Sequence, residues 1–233
     1  MKKMIDAIII LGMHRSGTSC LTGSLKTCGL NLGSVSDFNK YNQKGNQENP
    51  EVFRLNEALL LHNQSAWNKP NKKELEWDES FEKRRDNVLK TYNDLPKPWG
   101  FKDPRMLLTY KFWQHSLPNH SLIGSIRHPK AVAMSLAARK NLSVPMESGY
   151  NLWKVYNQNL IKIYQERPFP IVNFDAPRSD YINQTESAFE KLGLTVNTSN
   201  SFYDQSLKNQ TSYSIDNCPS ELTNLYQQLL EMV

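Results

Sequence analysis

Two glycines, an arginine and three hydroxyls crowd into Gly12-Met13-His14-Arg15-Ser16-Gly17-Thr18-Ser19, directly after the apolar run Ile8-Ile9-Ile10-Leu11. An apolar strand that enters a glycine-bounded loop and then opens a helix has the geometry of an anion site. The first glycine lets the chain turn off the strand, and the second lets backbone N–H groups approach a phosphate at the helix N-terminus. The spacing Gly-x-x-x-x-Gly matches the nucleotide-binding P-loop, but Thr18 stands where ATPases and GTPases carry lysine. Arg15, inside the loop, delivers cationic charge from a different position.

Three more groups stand where chemistry is possible. Arg127, in Ser125-Ile126-Arg127-His128-Pro129, falls at a strand end, and Ser135 follows six residues after the helix-starting Pro129. That places Ser135 ~9 Å along the helix, where a strand-end arginine and a helix hydroxyl can converge on one phosphate. Lys102-Asp103-Pro104-Arg105 follows the short strand Trp99-Gly100-Phe101-Lys102, with Asp103 expected to cap the next helix and Pro104 to begin it. Glu48 closes Asn42-Gln43-Lys44-Gly45-Asn46-Gln47-Glu48 just ahead of a helix. A carboxylate there favours the helix dipole, and beside an attacking hydroxyl it can also accept a proton.

In combination these elements resemble the sulfotransferases of the P-loop superfamily that use 3′-phosphoadenosine 5′-phosphosulfate (PAPS), and are closest in pattern to small bacterial members. The resemblance runs from the first strand to the helix containing Ser135, with weaker agreement around Pro170 to Asp175. It implies a three-layer α/β/α fold of P-loop type with a mainly parallel central sheet. It also implies that Gly12, His14, Arg15, Ser16, Gly17, Thr18 and Ser19 hold the donor's 5′-phosphosulfate, while Arg127 and Ser135 hold its 3′-phosphate. Lys102 is implied to stabilise the departing 3′-phosphoadenosine 5′-phosphate (PAP), with Arg15 assisting and Asp103 and Arg105 orienting the loop or contacting the acceptor. Glu48 is implied to be the base; His14 is the other possible base, or else shapes the loop or contacts the sulfuryl group. The chain departs from the pattern at Asn46-Gln47, where relatives commonly place an aromatic residue before the glutamate. Tyr203-Asp204-Gln205-Ser206-Leu207-Lys208 is similar to a late segment of some bacterial members, and no role is assigned to it.

A P-loop kinase or nucleotide hydrolase is the main rival, with Asp175 at the end of Pro170-Ile171-Val172-Asn173-Phe174 as a magnesium ligand. The missing loop lysine opposes it, and Arg127 and Ser135 would have no evident task in a kinase. A PAPS-binding module without turnover is the other alternative, opposed by the presence of both Glu48 and Lys102. Nucleic-acid binding is not expected, because the basic residues are dispersed.

Around these groups the 233 residues suit a single domain, 1–233, and 39% hydrophobic residues supply a core. The formal charge of +5 favours anionic ligands in general. Cys20 and Cys28, eight apart on the first predicted helix, are expected to be buried free thiols; no cysteine or histidine spacing suggests a metal site. The short N-terminal apolar run fits a buried strand better than a signal peptide, and nothing approaches the ~20 apolar residues of a membrane span. A cytoplasmic protein is expected. Its acceptor is expected to be a hydroxyl-bearing molecule, a glycan or small molecule first, with a lipid headgroup or peptide tyrosine also open.

The periodicities predict strands at 8–11, 99–102, 121–126 and 170–174. They predict helices at about 18–28, 50–61, 74–92, 106–114, 129–140, 152–164, 179–192 and 219–232, with a long polar loop at 33–49. Strands alternating with helices imply a parallel sheet with ligands at the carboxyl ends of its strands.

Overall fold

A computed structural model describes residues 5–35, 45–139, 143–196 and 218–233. The strands are β1 (Ala7–Leu11), β2 (Trp99–Lys102), β3 (His120–Ile126) and β4 (Ile171–Asn173). They form one sheet in the order β2-β1-β3-β4, every pair parallel, with Ala7 opposite both Trp99 and His120 and with Gly124 opposite Ile171. The helices are α1 (Thr18–Thr27), α2 (Pro50–His62), α3 (Glu79–Asn93), α4 (Met106–Gln114), α5 (Pro129–Ala137), α6 (Met146–Glu166), α7 (Arg178–Lys191) and α8 (Ser220–Leu230).

Every side chain of β1 is buried, and successive residues alternate between two cores as the period-two geometry of a strand demands. Ala7, Ile9 and Leu11 join a large core with residues of α2, α3, α4, α6 and α8. Ile8 and Ile10 join a smaller one with Leu21 and Leu25 of α1 and Tyr181 and Phe189 of α7. Helices thus cover both faces of a parallel sheet, giving the expected three-layer α/β/α architecture.

The structure departs from the sequence expectations locally. Helix α3 begins at Glu79, not near Glu74, because the Asp78 carboxylate accepts the N–H groups of Ser80 and Phe81 and so caps the helix there. Helix α4 starts at Met106, as the 106–114 periodicity predicts, so Pro104 does not begin it: Asp103 accepts the Arg105 N–H at 2.8 Å within a turn through Pro104 and Arg105. Cys20 and Cys28 form no disulfide and are half-buried, not buried, and Cys28 lies at the C-cap of α1, past its last helical residue. Asn42, Gln43, Lys44 and the segment 203–208 lie outside the described residues. Among the described residues, no helix is long and apolar enough to cross a membrane.

Candidate functional site

The four strand ends gather the candidate residues at the carboxyl edge of the sheet. Gly12 leaves β1 at φ 152°, where a Cβ would lie 2.5 Å from Thr18 Cγ2 and 2.7 Å from the Ser125 carbonyl oxygen. Gly17 turns into α1 at φ 83°, and a Cβ there would run into the Phe174 ring. Both positions therefore require glycine. Gly17 offers no side chain to cap α1 and the first turn of that helix has no acidic residue, so its N-terminus is left polar and electropositive. Ser16 and Thr18 are buried, and the Ser125 hydroxyl fixes the loop to β3 by donating to the Ser16 carbonyl at 2.6 Å.

Arg15 adopts φ 68° within the loop and donates from Nε to the Ser135 hydroxyl at 2.7 Å. Arg127 in turn donates from its guanidinium to the Arg15 carbonyl at 3.1 Å, so loop, strand end and helix α5 are joined by direct hydrogen bonds. Burial, then the nearby Arg139 and Arg127 charges, push the Arg15 guanidinium down to about 10. Guanidinium groups held close in a desolvated setting repel one another, and a bound polyanion relieves that repulsion. Arg139 was not singled out from the sequence, although it stands four residues after Ser135, the spacing of neighbours on one helix face.

Asp175, the rival magnesium ligand, is committed to this framework. Its Oδ1 pairs with Arg127 Nε at 3.3 Å and its Oδ2 accepts the His128 N–H at 2.8 Å. The Trp153 indole donates to the Arg127 carbonyl at 2.9 Å. Among the described residues, no cluster of three or more His, Cys, Asp or Glu side chains could hold a metal ion.

Lys102 and Glu48 meet directly: Nζ lies 2.7 Å from Oε1, with the lysine side chain 2% and the glutamate 15% exposed. The same Nζ is 3.4 Å from Ser19 Oγ, which itself donates to the Asn46 carbonyl at 3.1 Å. A carboxylate and an ammonium thus face the N-terminal turn of α1. Glu48 is held there by its neighbours: buried Gln47 takes φ 56°, and the Asn49 side chain caps α2 by accepting from Glu51 and Val52. Three residues after Lys102, the buried Arg105 bridges Asp103, at 3.0 Å, and Glu57, with its guanidinium over the Phe53 ring.

His14 projects into an aromatic setting, 4.6 Å from the Trp67 ring and 5.8 Å from that of Tyr156. Burial first, and then the Arg105, Lys102, Arg139 and Arg15 charges, hold its imidazole well below the ordinary histidine range, so it is uncharged at neutral pH. Its Nδ1 is buried without a hydrogen-bond partner. Tyr156 braces this arrangement by donating to the Trp67 carbonyl at 2.9 Å. Neither Trp67 nor Tyr156 carried a sequence signal beyond the helical spacing of Tyr156.

No protein-family model matches the chain, and no curated protein does. Among solved structures, the sulfotransferase domain of the Synechococcus PCC 7002 olefin synthase is similar over 90% of this chain and 79% of its own length, with a TM-score of 0.51 and 17% identity. Sulfotransferase STF1 of Mycobacterium tuberculosis H37Rv aligns over 95% of this chain and 76% of its own, with a TM-score of 0.45 and 14% identity. The chain shares the fold of the Synechococcus domain.

Proposed function

We propose that the chain is a PAPS-dependent sulfotransferase that moves a sulfuryl group to an acceptor hydroxyl and releases PAP. The observation that carries this reading is the convergence of Arg15, Arg127 and Ser135, with Arg139 beside them, one loop away from the Lys102–Glu48 pair. An adenosine nucleotide with phosphates at both ends needs such a second cationic cluster, whereas ATP has no 3′ anion to fill it. The likeness in fold to a sulfotransferase domain supports the same reading.

In this mechanism the N–H groups of Gly17, Thr18 and Ser19, with Arg15, hold the 5′-phosphosulfate, and Arg127 and Ser135 hold the 3′-phosphate. Glu48 takes the proton of the acceptor hydroxyl as that oxygen bonds to sulfur. The bond from sulfur to the bridging oxygen breaks, and Lys102 stabilises the charge left on PAP. Lys102 therefore exchanges Glu48 for the bridging oxygen as Glu48 exchanges Lys102 for the acceptor hydroxyl. His14, uncharged, shapes the loop and can donate or accept one hydrogen bond beside the sulfuryl group. No metal ion takes part in this scheme, and the acceptor is a glycan or another hydroxyl-bearing small molecule. The reading includes a single domain over residues 1–233 acting in the cytoplasm, in keeping with three cysteines that form no disulfide.

Calorimetry with PAP against ATP plus magnesium is the direct test. Preferential binding of PAP supports the assignment; preference for ATP overturns it in favour of a kinase. Transfer of labelled sulfate from PAPS into a cell extract then separates an active enzyme from a binding module.

A further inference from the structure

Phe174 follows β4 and touches both halves of the anion cluster. Its ring fills the space that a side chain at Gly17 would need, so it packs directly on the loop that opens α1. The Arg127 guanidinium carbon lies 5.2 Å from the ring centroid, and Tyr181 meets the ring edge-on at 5.8 Å. The Phe174 N–H donates to the Ile126 carbonyl at 2.9 Å, which ties its backbone to the residue preceding Arg127.

Arg127 is thereby held on several sides. Nε is paired with Asp175, one terminal nitrogen donates to the Arg15 carbonyl, the backbone carbonyl accepts from Trp153, and the guanidinium stands over an aromatic face. An arginine has five N–H donors in a rigid plane, so fixing Nε and one terminal nitrogen fixes the direction of the remaining edge. The ring adds a restraint across the face of the plane, by attraction of the cation to the π face.

We propose that Phe174 is a positioning residue that aims Arg127 at the 3′-phosphate of the nucleotide and so sets the preference for a 3′-phosphorylated ligand. The proposal rests on the donor assignment above. It makes no claim that Phe174 touches the reacting atoms.

The test is calorimetry of the full chain with PAP and with adenosine 5′-phosphate, which lacks the 3′ group, for the wild type, Phe174→Leu and Phe174→Tyr. Leucine keeps apolar contact with Gly17 but removes the π face, and it should weaken PAP binding about 3- to 10-fold with adenosine 5′-phosphate affinity unchanged. Tyrosine keeps the ring and should retain the wild-type ratio. A structural role alone would weaken both nucleotides together, and that outcome overturns the proposal, as does a Phe174→Leu chain with an unaltered ratio. Loss of the ratio in Phe174→Tyr as well overturns it too. If Phe174→Leu fails to fold, Phe174→Met is read by the same ratio. Equal affinity of the wild type for the two nucleotides defeats the donor assignment itself, whereas intact wild-type preference unmoved by Phe174→Leu defeats this inference alone.

Discussion

Lys102 and Arg127 are both cations at strand ends, yet their surroundings divide their work. Lys102 is paired with a carboxylate at the N-terminal turn of α1, while Arg127 is locked into a framework of fixed acceptors. Lys102→Ala should lower kcat on the order of 100-fold or more with little change in PAP affinity, since in the proposed mechanism it stabilises charge that develops only in the transition state. Arg127→Ala should weaken PAP about 10- to 100-fold, the range for a charge-assisted hydrogen bond. Steady-state kinetics with PAPS and PAP titration check both, and equal effects on the two parameters would count against the division. His14 supplies a pH prediction. Its imidazole, like those of His120 and His128, is shifted downward chiefly by burial. Above pH ~6.5 both folded and unfolded chains carry these rings neutral, and their contribution to stability is fully present. As the pH falls below that value the unfolded chain binds protons that the folded chain refuses, so stability declines until the lowered native values are reached. Urea unfolding should show a lower midpoint at about pH 5.5 than at about pH 8, and His14→Asn should lessen the difference.

At the scale of elements, the Glu48 carboxylate, the proposed base, sits beside a helix cap. Asn49 Oδ1 accepts the Glu51 N–H at 2.8 Å and the Val52 N–H at 3.3 Å, and Glu48 is its immediate neighbour. Asn49→Ala should cost about 1 kcal/mol of stability in urea unfolding. It should also lower kcat several-fold while sparing PAP affinity, because Glu48 loses the anchor beside it. The elements were largely legible in the sequence: the Ile8–Leu11 run, the glycines at 12 and 17, and Pro50 and Pro129 at helix starts each carry a backbone requirement written locally. The contacts between elements were not. The bond from Arg15 to Ser135 spans 120 positions and that from Lys102 to Glu48 spans 54, and spacing along a chain does not say which way a side chain turns once elements pack. The Glu74 start for α3 failed for a related reason, since a charged run fits a solvated helix until Asp78 claims the first N–H groups.

For the molecule as a whole, ligand binding and stability are linked. A ligand that neutralises the arginine cluster only in the folded chain should raise unfolding free energy, by about 2.7 kcal/mol at a concentration 100 times its Kd. Thermal unfolding should therefore shift upward with PAP and by less with equal adenosine 5′-phosphate. The strand order puts the chain segment that bears the loop between two partners, with edge positions left to β2 and β4. The amides of Ile8 to Leu11 should exchange with deuterated water only when the entire sheet comes apart, at the slowest rate in the protein. Because the Gly12–Gly17 loop hangs from that last strand to open, the candidate site cannot melt ahead of its scaffold: on heating, loss of activity and loss of secondary structure should follow a single curve.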